Sequence, residues 1–124
     1  MARRDIIGAV DFAHLETYAA HDAALIEEVL GLFRQQAELW MPLLDPARAE
    51  GWRDAAHALK GSALGVGAFA FADACSAAEA GAQAGAATRA AQLERIRTAL
   101  DAALHDIAAY RHEQALQGLK TPRA

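Results

Sequence analysis

Apolar side chains recur along this chain every three or four residues, and no alternating stretch is long enough for a sheet strand. After Asp22 come Ile26, Leu30, Phe33, Ala37 and Trp40, a stripe that lines one face of a helix. Trp52, Ala56, Leu59, Ala63 and Val66 repeat the spacing, as do Leu93, Ile96, Leu100, Ala103, Ile107 and Tyr110. Between these two stripes, a helix from about Phe69 to Ala80 would bury Phe71, Cys75 and Ala78. The predicted fold is all-α, an antiparallel four-helix bundle with a short additional N-terminal helix, since amphipathic helices on short links must cover one another's stripes.

The punctuation supports these bounds. Asp11 is placed to cap a first helix running to about Tyr18, and Asp22 to cap the second. Asp45 and Pro46 read as the cap and first turn of the third, which runs to Gly65 or Gly67, where glycine suits a left-handed stop. Gly65 weakens that end and leaves its boundary open. The stretch Ala77 to Ala91 reads as an interhelical turn about a Gly81 to Gly85 loop, and the last helix is expected from about Thr88 to Glu113. The bundle domain then covers 11–113, with a flexible N-terminus at 1–10 and a frayed C-terminal tail at 114–124.

Composition narrows the function. With 124 residues there is room for one core, and a hydrophobic share of 54% against 23% charged argues for a folded chain rich in helix formers. A net charge of −4 gives no basis for nucleic-acid binding. No apolar run is long enough to span a bilayer and no signal-peptide core follows Arg3 and Arg4, so a cytoplasmic location is expected. Cys75 stands alone and reads as a small buried hydrophobe. No metal site is expected: His14, His21, His105 and His112 read as ordinary surface or partly buried histidines, and no paired Glu-x-x-His motif is present.

His57 differs from those four by its surroundings. At about 100° per residue the Trp52 to Val66 stripe of the third helix points one way, while His57, Lys60, Gly61 and Leu64 point the other. An exposed imidazole that is substantially neutral near pH 7 has a free lone pair able to attack phosphorus. Lys60, a side-face neighbour, could offset the charge of a phosphoryl group placed there. Gly61, which costs about 1 kcal/mol against alanine inside a helix, would leave the ring uncrowded for a partner's approach. Singly each feature is ordinary, and together they describe a bundle with an accessible His, Lys and Gly patch.

The segment Ala56 to Glu79, AHALKGSALGVGAFAFADACSAAE, resembles the histidine phosphotransfer (HPt) family signature, a His-x-x-Lys-Gly-Ser/Ala run with a later glycine, here His57, Lys60, Gly61, Ser62 and Gly67. With Phe33 on the preceding helix, the resemblance spans roughly residues 11 to 113. It implies that His57 carries a phosphoryl group on Nε2, that Lys60 helps hold it, and that Gly61 keeps the approach open. In several family members a Gln or Glu on the next helix accepts a hydrogen bond from the histidine Nδ1, and Glu79 stands at that position. Arg53 and Leu64 would border the site and touch a partner.

The partners implied are response-regulator receiver domains and a hybrid sensor histidine kinase. The protein would be a monomeric phosphoryl carrier that binds no cofactor itself, with Mg²⁺ expected in the receiver. An autophosphorylating kinase would need an ATP-binding domain, for which the chain has neither room nor a glycine-rich loop. A kinase dimerisation domain commonly carries an acidic residue after its histidine, where Ala58 stands here. The competing reading is a noncatalytic helical adaptor that binds a receiver without phosphotransfer.

Overall fold

Asp11 and Asp22 each turn the chain into a helix in the computed structural model, which describes residues 9–120. The Asp11 carboxylate accepts from the His14 amide at 3.1 Å and opens α1, Phe12–Tyr18. That of Asp22 accepts from Ala24 and Leu25 at 3.0 and 3.1 Å and opens α2, Ala23–Trp40. In both, a side-chain oxygen satisfies amides that a helix start leaves without a partner. A short 3-10 turn, Met41–Leu43, leads on to α3, Trp52–Val66, then α4, Phe69–Ala80, and α5, Ala86–Lys120.

The predicted stripes form the core. Ile26, Leu30, Phe33 and Ala37 of α2 are buried, as are Trp52, Ala56, Leu59, Ala63 and Val66 of α3 and Phe71, Cys75 and Ala78 of α4. From α5 come Leu93, Ile96, Leu100, Ala103 and Ile107, while Trp40 and Tyr110 lie at the margin. The Phe33 and Phe71 rings meet edge to face with centroids 5.8 Å apart, across the bundle from α2 to α4. The α3 and α4 pair has the most extensive contact, and six of the eleven buried residues on these two helices are alanines. The four longer helices form the bundle, and α1 closes one end. Among the described residues there is no strand, and no helix is long and apolar enough to cross a membrane.

Four boundaries differ from the sequence reading. Asp45 and Pro46 do not open α3: the Asp45 carboxylate accepts from the Ala47 amide at 3.0 Å and its carbonyl from Arg48 at 2.9 Å, closing a turn. Asp followed by Pro is also a β-turn signature, and a helix begun at Pro46 would have to carry Gly51 inside it. Instead Gly51, at φ +81°, enters α3 in a left-handed conformation just before Trp52. The end of α3 is not among them: of the two stops the sequence allowed, Gly65 and Gly67, the structure uses Gly67.

At the C-terminus, α5 continues to Lys120 in place of a tail frayed from residue 114. Gln114, Ala115, Leu116 and Gln117 are good helix formers with no proline among them, so the helix continues although this turn is exposed. It begins at Ala86 rather than Thr88. At the N-terminus, residues 1–8 lie outside the described residues, but Ala9 and Val10 are anchored: the Ala9 amide donates to the Asp106 carboxylate and Val10 is buried.

The closed end is held by two further contacts. Phe12 stacks on Tyr110 with centroids 4.2 Å apart, and the Tyr110 hydroxyl donates to Glu16 at 2.8 Å. Burial, with that carboxylate nearby, pushes the phenol up to about 12. Gly67 makes the second contact: its carbonyl accepts from the Asp11 amide at 3.0 Å, and a Cβ built on it would lie 2.9 Å from the Asp11 carbonyl oxygen. Its φ of +82° is also one that side-chain-bearing residues rarely adopt. Gly67→Ala is therefore expected to lower the unfolding free energy by about 2 kcal/mol, measured by urea denaturation.

Candidate functional site

The rotation that buries the Trp52 to Val66 stripe turns Arg53, His57, Gly61 and Leu64 outward in a single row along α3. All four are exposed, Arg53 one turn before His57 and Leu64 two turns after it. The Gly67 stop folds α4 back beside α3, and Glu79 in the last turn of α4 reaches the flank of that row. Its carboxylate spans two residues of α3: Oε2 lies 2.9 Å from His57 Nδ1 and Oε1 lies 2.9 Å from Lys60 Nζ. The imidazole is 67% exposed, whereas the Lys60 and Glu79 side chains are 29% and 18% exposed. The charged pair thus forms a half-buried floor under an open ring.

The charge state of Glu79 bears on the tautomer of His57. The hydrogen bond from Lys60 holds the Glu79 carboxyl below its ordinary value; partial burial opposes this, and the His57 hydrogen bond and the neighbouring charges add to it. At neutral pH the group is a carboxylate, which can only accept. The proton shared with His57 must therefore sit on Nδ1, so the neutral ring carries its free lone pair on Nε2. Among the described residues Nε2 has no hydrogen-bond partner.

Gly61 meets no internal obstacle, since a Cβ there would find nothing within 4 Å. Gly31 and Gly65 are as open within their helices, so openness alone does not single Gly61 out; its place one turn from His57 does. The other histidines stand apart. His14 packs edge-on against Phe69, His21 lies in the α1 to α2 turn, and His105 and His112 are exposed on α5. No group of three potential metal-ligating side chains converges among the described residues. Cys75 is buried in the core, and burial pushes its thiol up to about 12, which leaves it inert as a nucleophile.

The His57 and Glu79 side chains meet, as the family resemblance implied. The bond from Lys60 to the same carboxylate was not legible, because the sequence reading gave Lys60 only a phosphoryl group to hold. Three further side chains escaped it. Trp52, read as core alone, donates its indole N–H to the Ala78 carbonyl at 2.9 Å. Gln92 donates to the Ala77 carbonyl at 3.1 Å, and Arg89, buried, donates to Ala82 and Pro46. Only Gln92 and Arg89 carried a signal, as polar residues on or beside the apolar face of α5.

No protein-family model matches the chain, and no curated protein does. Among solved structures it is similar to the histidine phosphotransferase ShpA from Caulobacter crescentus, whose crystal structure was determined at 1.52 Å. The two are 57% identical with a TM-score of 0.76, and the match covers 91% of this chain and 100% of that one. The chain belongs to the histidine phosphotransferase family. Identity at this level over nearly the whole chain carries the bundle and its connections together, so the HPt fold here is that of the family and not a chance likeness of helices.

In this HPt protein the Lys60 to Glu79 bond has a pH signature. Because the folded-state value of Glu79 is depressed, the stability it contributes is fully present above the ordinary carboxyl value of 4.5 and is lost as pH falls through the folded value. Lys60→Met is expected to raise the Glu79 value, read by carboxyl NMR titration. The stability difference between wild type and variant should be present at neutral pH and close on acidification below about 4.5.

Proposed function

We propose that His57 is the phosphoacceptor of a phosphorelay, taking a phosphoryl group on Nε2 from the aspartyl phosphate of a receiver domain and passing it to another receiver aspartate. A phosphorelay role comes with the family; the observation that carries the assignment to His57 is the ionised Glu79 on Nδ1, which leaves the exposed Nε2 with its lone pair. As the Nε2 to phosphorus bond forms, the bond from phosphorus to the donor's acyl oxygen breaks and the donor aspartate leaves as a carboxylate. Nδ1 keeps its proton throughout, so the ring becomes cationic. Glu79, 2.9 Å from that nitrogen, lies where the new positive charge appears and stabilises it.

Lys60 has two roles on this reading. Before transfer it neutralises Glu79, so the site presents no net negative charge to an incoming phosphoryl group. After transfer its flexible ammonium can turn from Oε1 to the phosphoryl oxygens, which offer the greater charge. The receiver supplies the remaining electrostatics, including Mg²⁺, and this chain requires no cofactor of its own. Arg53 and Leu64, flanking His57 on the exposed row, contribute a charged and an apolar contact to a small transient interface. The protein acts as a carrier, monomeric and cytoplasmic.

The test is transfer from a panel of phosphorylated receiver domains with Mg²⁺, following acid-labile, base-stable label. Wild type is expected to take label and His57→Gln to take none. Label on both would move the site to another histidine, and label on neither, with folded protein, would leave a receiver-binding adaptor. Gly61→Gln is expected to fold with stability equal to or above wild type, since it removes a helix-interior glycine and its Cβ enters open space, yet to slow transfer roughly tenfold or more by crowding the approach.

A further inference from the structure

Glu79 can orient His57 only if the end of α4 is held in register with α3, and that end is a weak place in a helix. The last four carbonyls of α4, those of Ala77 to Ala80, have no donor within the regular helix. The fraying expected there would carry Glu79 with it. In this chain side chains from both neighbouring helices fasten that end. Trp52 of α3 donates its indole N–H to the Ala78 carbonyl at 2.9 Å, in a fully buried bond. Gln92 of α5 donates to the Ala77 carbonyl at 3.1 Å, beside the Gly81 amide at 3.0 Å. Just beyond, Arg89 of α5 donates to the Ala82 carbonyl at 2.8 Å and to Pro46 at 2.9 Å.

We infer that Trp52 is a positioning residue for phosphotransfer: its indole bond to Ala78 locks α4 to α3 in the register that holds Glu79 against His57 Nδ1. Trp52 and His57 lie on the same helix, and Ala78 and Glu79 are consecutive on the other. The indole bond and the carboxylate bond are therefore two rungs between the same pair of helices. One rung is buried and directional. The other is open to solvent and would be weak alone. A shift of α4 by a fraction of an ångström would leave the core packed but would lengthen the bond to Nδ1 and release the tautomer. Gln92 assists from the opposite side.

This inference rests on the reading that Glu79 orients His57, and its test needs no phosphotransfer. The fraction of neutral His57 protonated on Nδ1 can be read from the imidazole nitrogen shifts of ¹⁵N-labelled protein, beside the melting temperature. Glu79→Ala is expected to move the ring toward the Nε2-protonated form. Trp52→Phe, which keeps an aromatic ring in the core and removes the donor, is expected to give about half of that shift or more, and to add nothing when combined with Glu79→Ala. The same variant should slow transfer from a phosphorylated receiver.

Ring signals left at their wild-type positions in Trp52→Phe, with only the melting temperature lowered, would overturn the inference and make the bond purely structural. Additive effects of the two substitutions would overturn it as well, as would a ring that does not move in Glu79→Ala. Should Trp52→Phe not fold, Gln92→Leu tests the same lock from α5 and is expected to shift the ring in the same direction, an unmoved ring again overturning it. A shifted tautomer in a protein that takes no label from any receiver would instead refute the proposed function and leave the positioning role standing.

Discussion

One carboxylate set between an imidazole and an ammonium is the interaction around which this site is arranged. It lies 2.9 Å from both His57 Nδ1 and Lys60 Nζ, and on the proposed reading it fixes where the proton of His57 resides and leaves Nε2 free. Energetically it does little for the fold: a partly exposed ion pair contributes about 0 to 1 kcal/mol. Burying one large apolar side chain such as Trp52, Phe33 or Phe71 contributes about 1.5 to 3 kcal/mol, and the core contains many. The causal order follows from these magnitudes. The core sets the spacing of α3 and α4, and the spacing brings Glu79 to His57.

That spacing comes from small side chains. Ala55, Ala56 and Ala63 of α3 and Ala72, Ala74 and Ala78 of α4 are all buried, interleaved with the larger core residues Trp52, Leu59 and Phe71. Larger residues would move α4 outward and take Glu79 beyond reach of Nδ1. Alanines at these positions thus help bring the Glu79 carboxylate within reach of both His57 and Lys60.

How far the sequence could be read depended on whether each feature is local. Asp11 and Asp22 cap helices through amides two or three residues away, and the apolar stripes report their own helix face, so α1, α2 and the outward position of His57 were legible. Asp45 and Pro46 were ambiguous because the same pair begins a helix or a turn, and Gly51 decided in favour of the turn. The run after Glu113 has no apolar stripe to report, so the reading ended the helix there, although residue propensity alone favours its continuation to Lys120. The His57 to Glu79 pair could be named only through the family pattern. The bond from Lys60 to Glu79 and the indole bond to Ala78 depend on how two helices slide past each other, which no spacing within either helix encodes.

On the proposed reading the pairing also accounts for how one site receives and releases the same group. A phosphoryl group on Nε2 is kept by attraction to cations and made labile by anything that favours its departure. On the proposed reading Glu79 acts on both sides of that balance. Its hydrogen bond to Nδ1 stabilises the cationic phosphorylated ring, and its claim on the Lys60 ammonium competes with the phosphoryl oxygens for the nearest positive charge. A neutral amide in its place would keep the hydrogen bond and lose the competition, since it bears no charge to attract Lys60. A carboxylate therefore moderates how firmly the phosphoryl group is held, which suits a carrier whose task is complete only when the group has moved on.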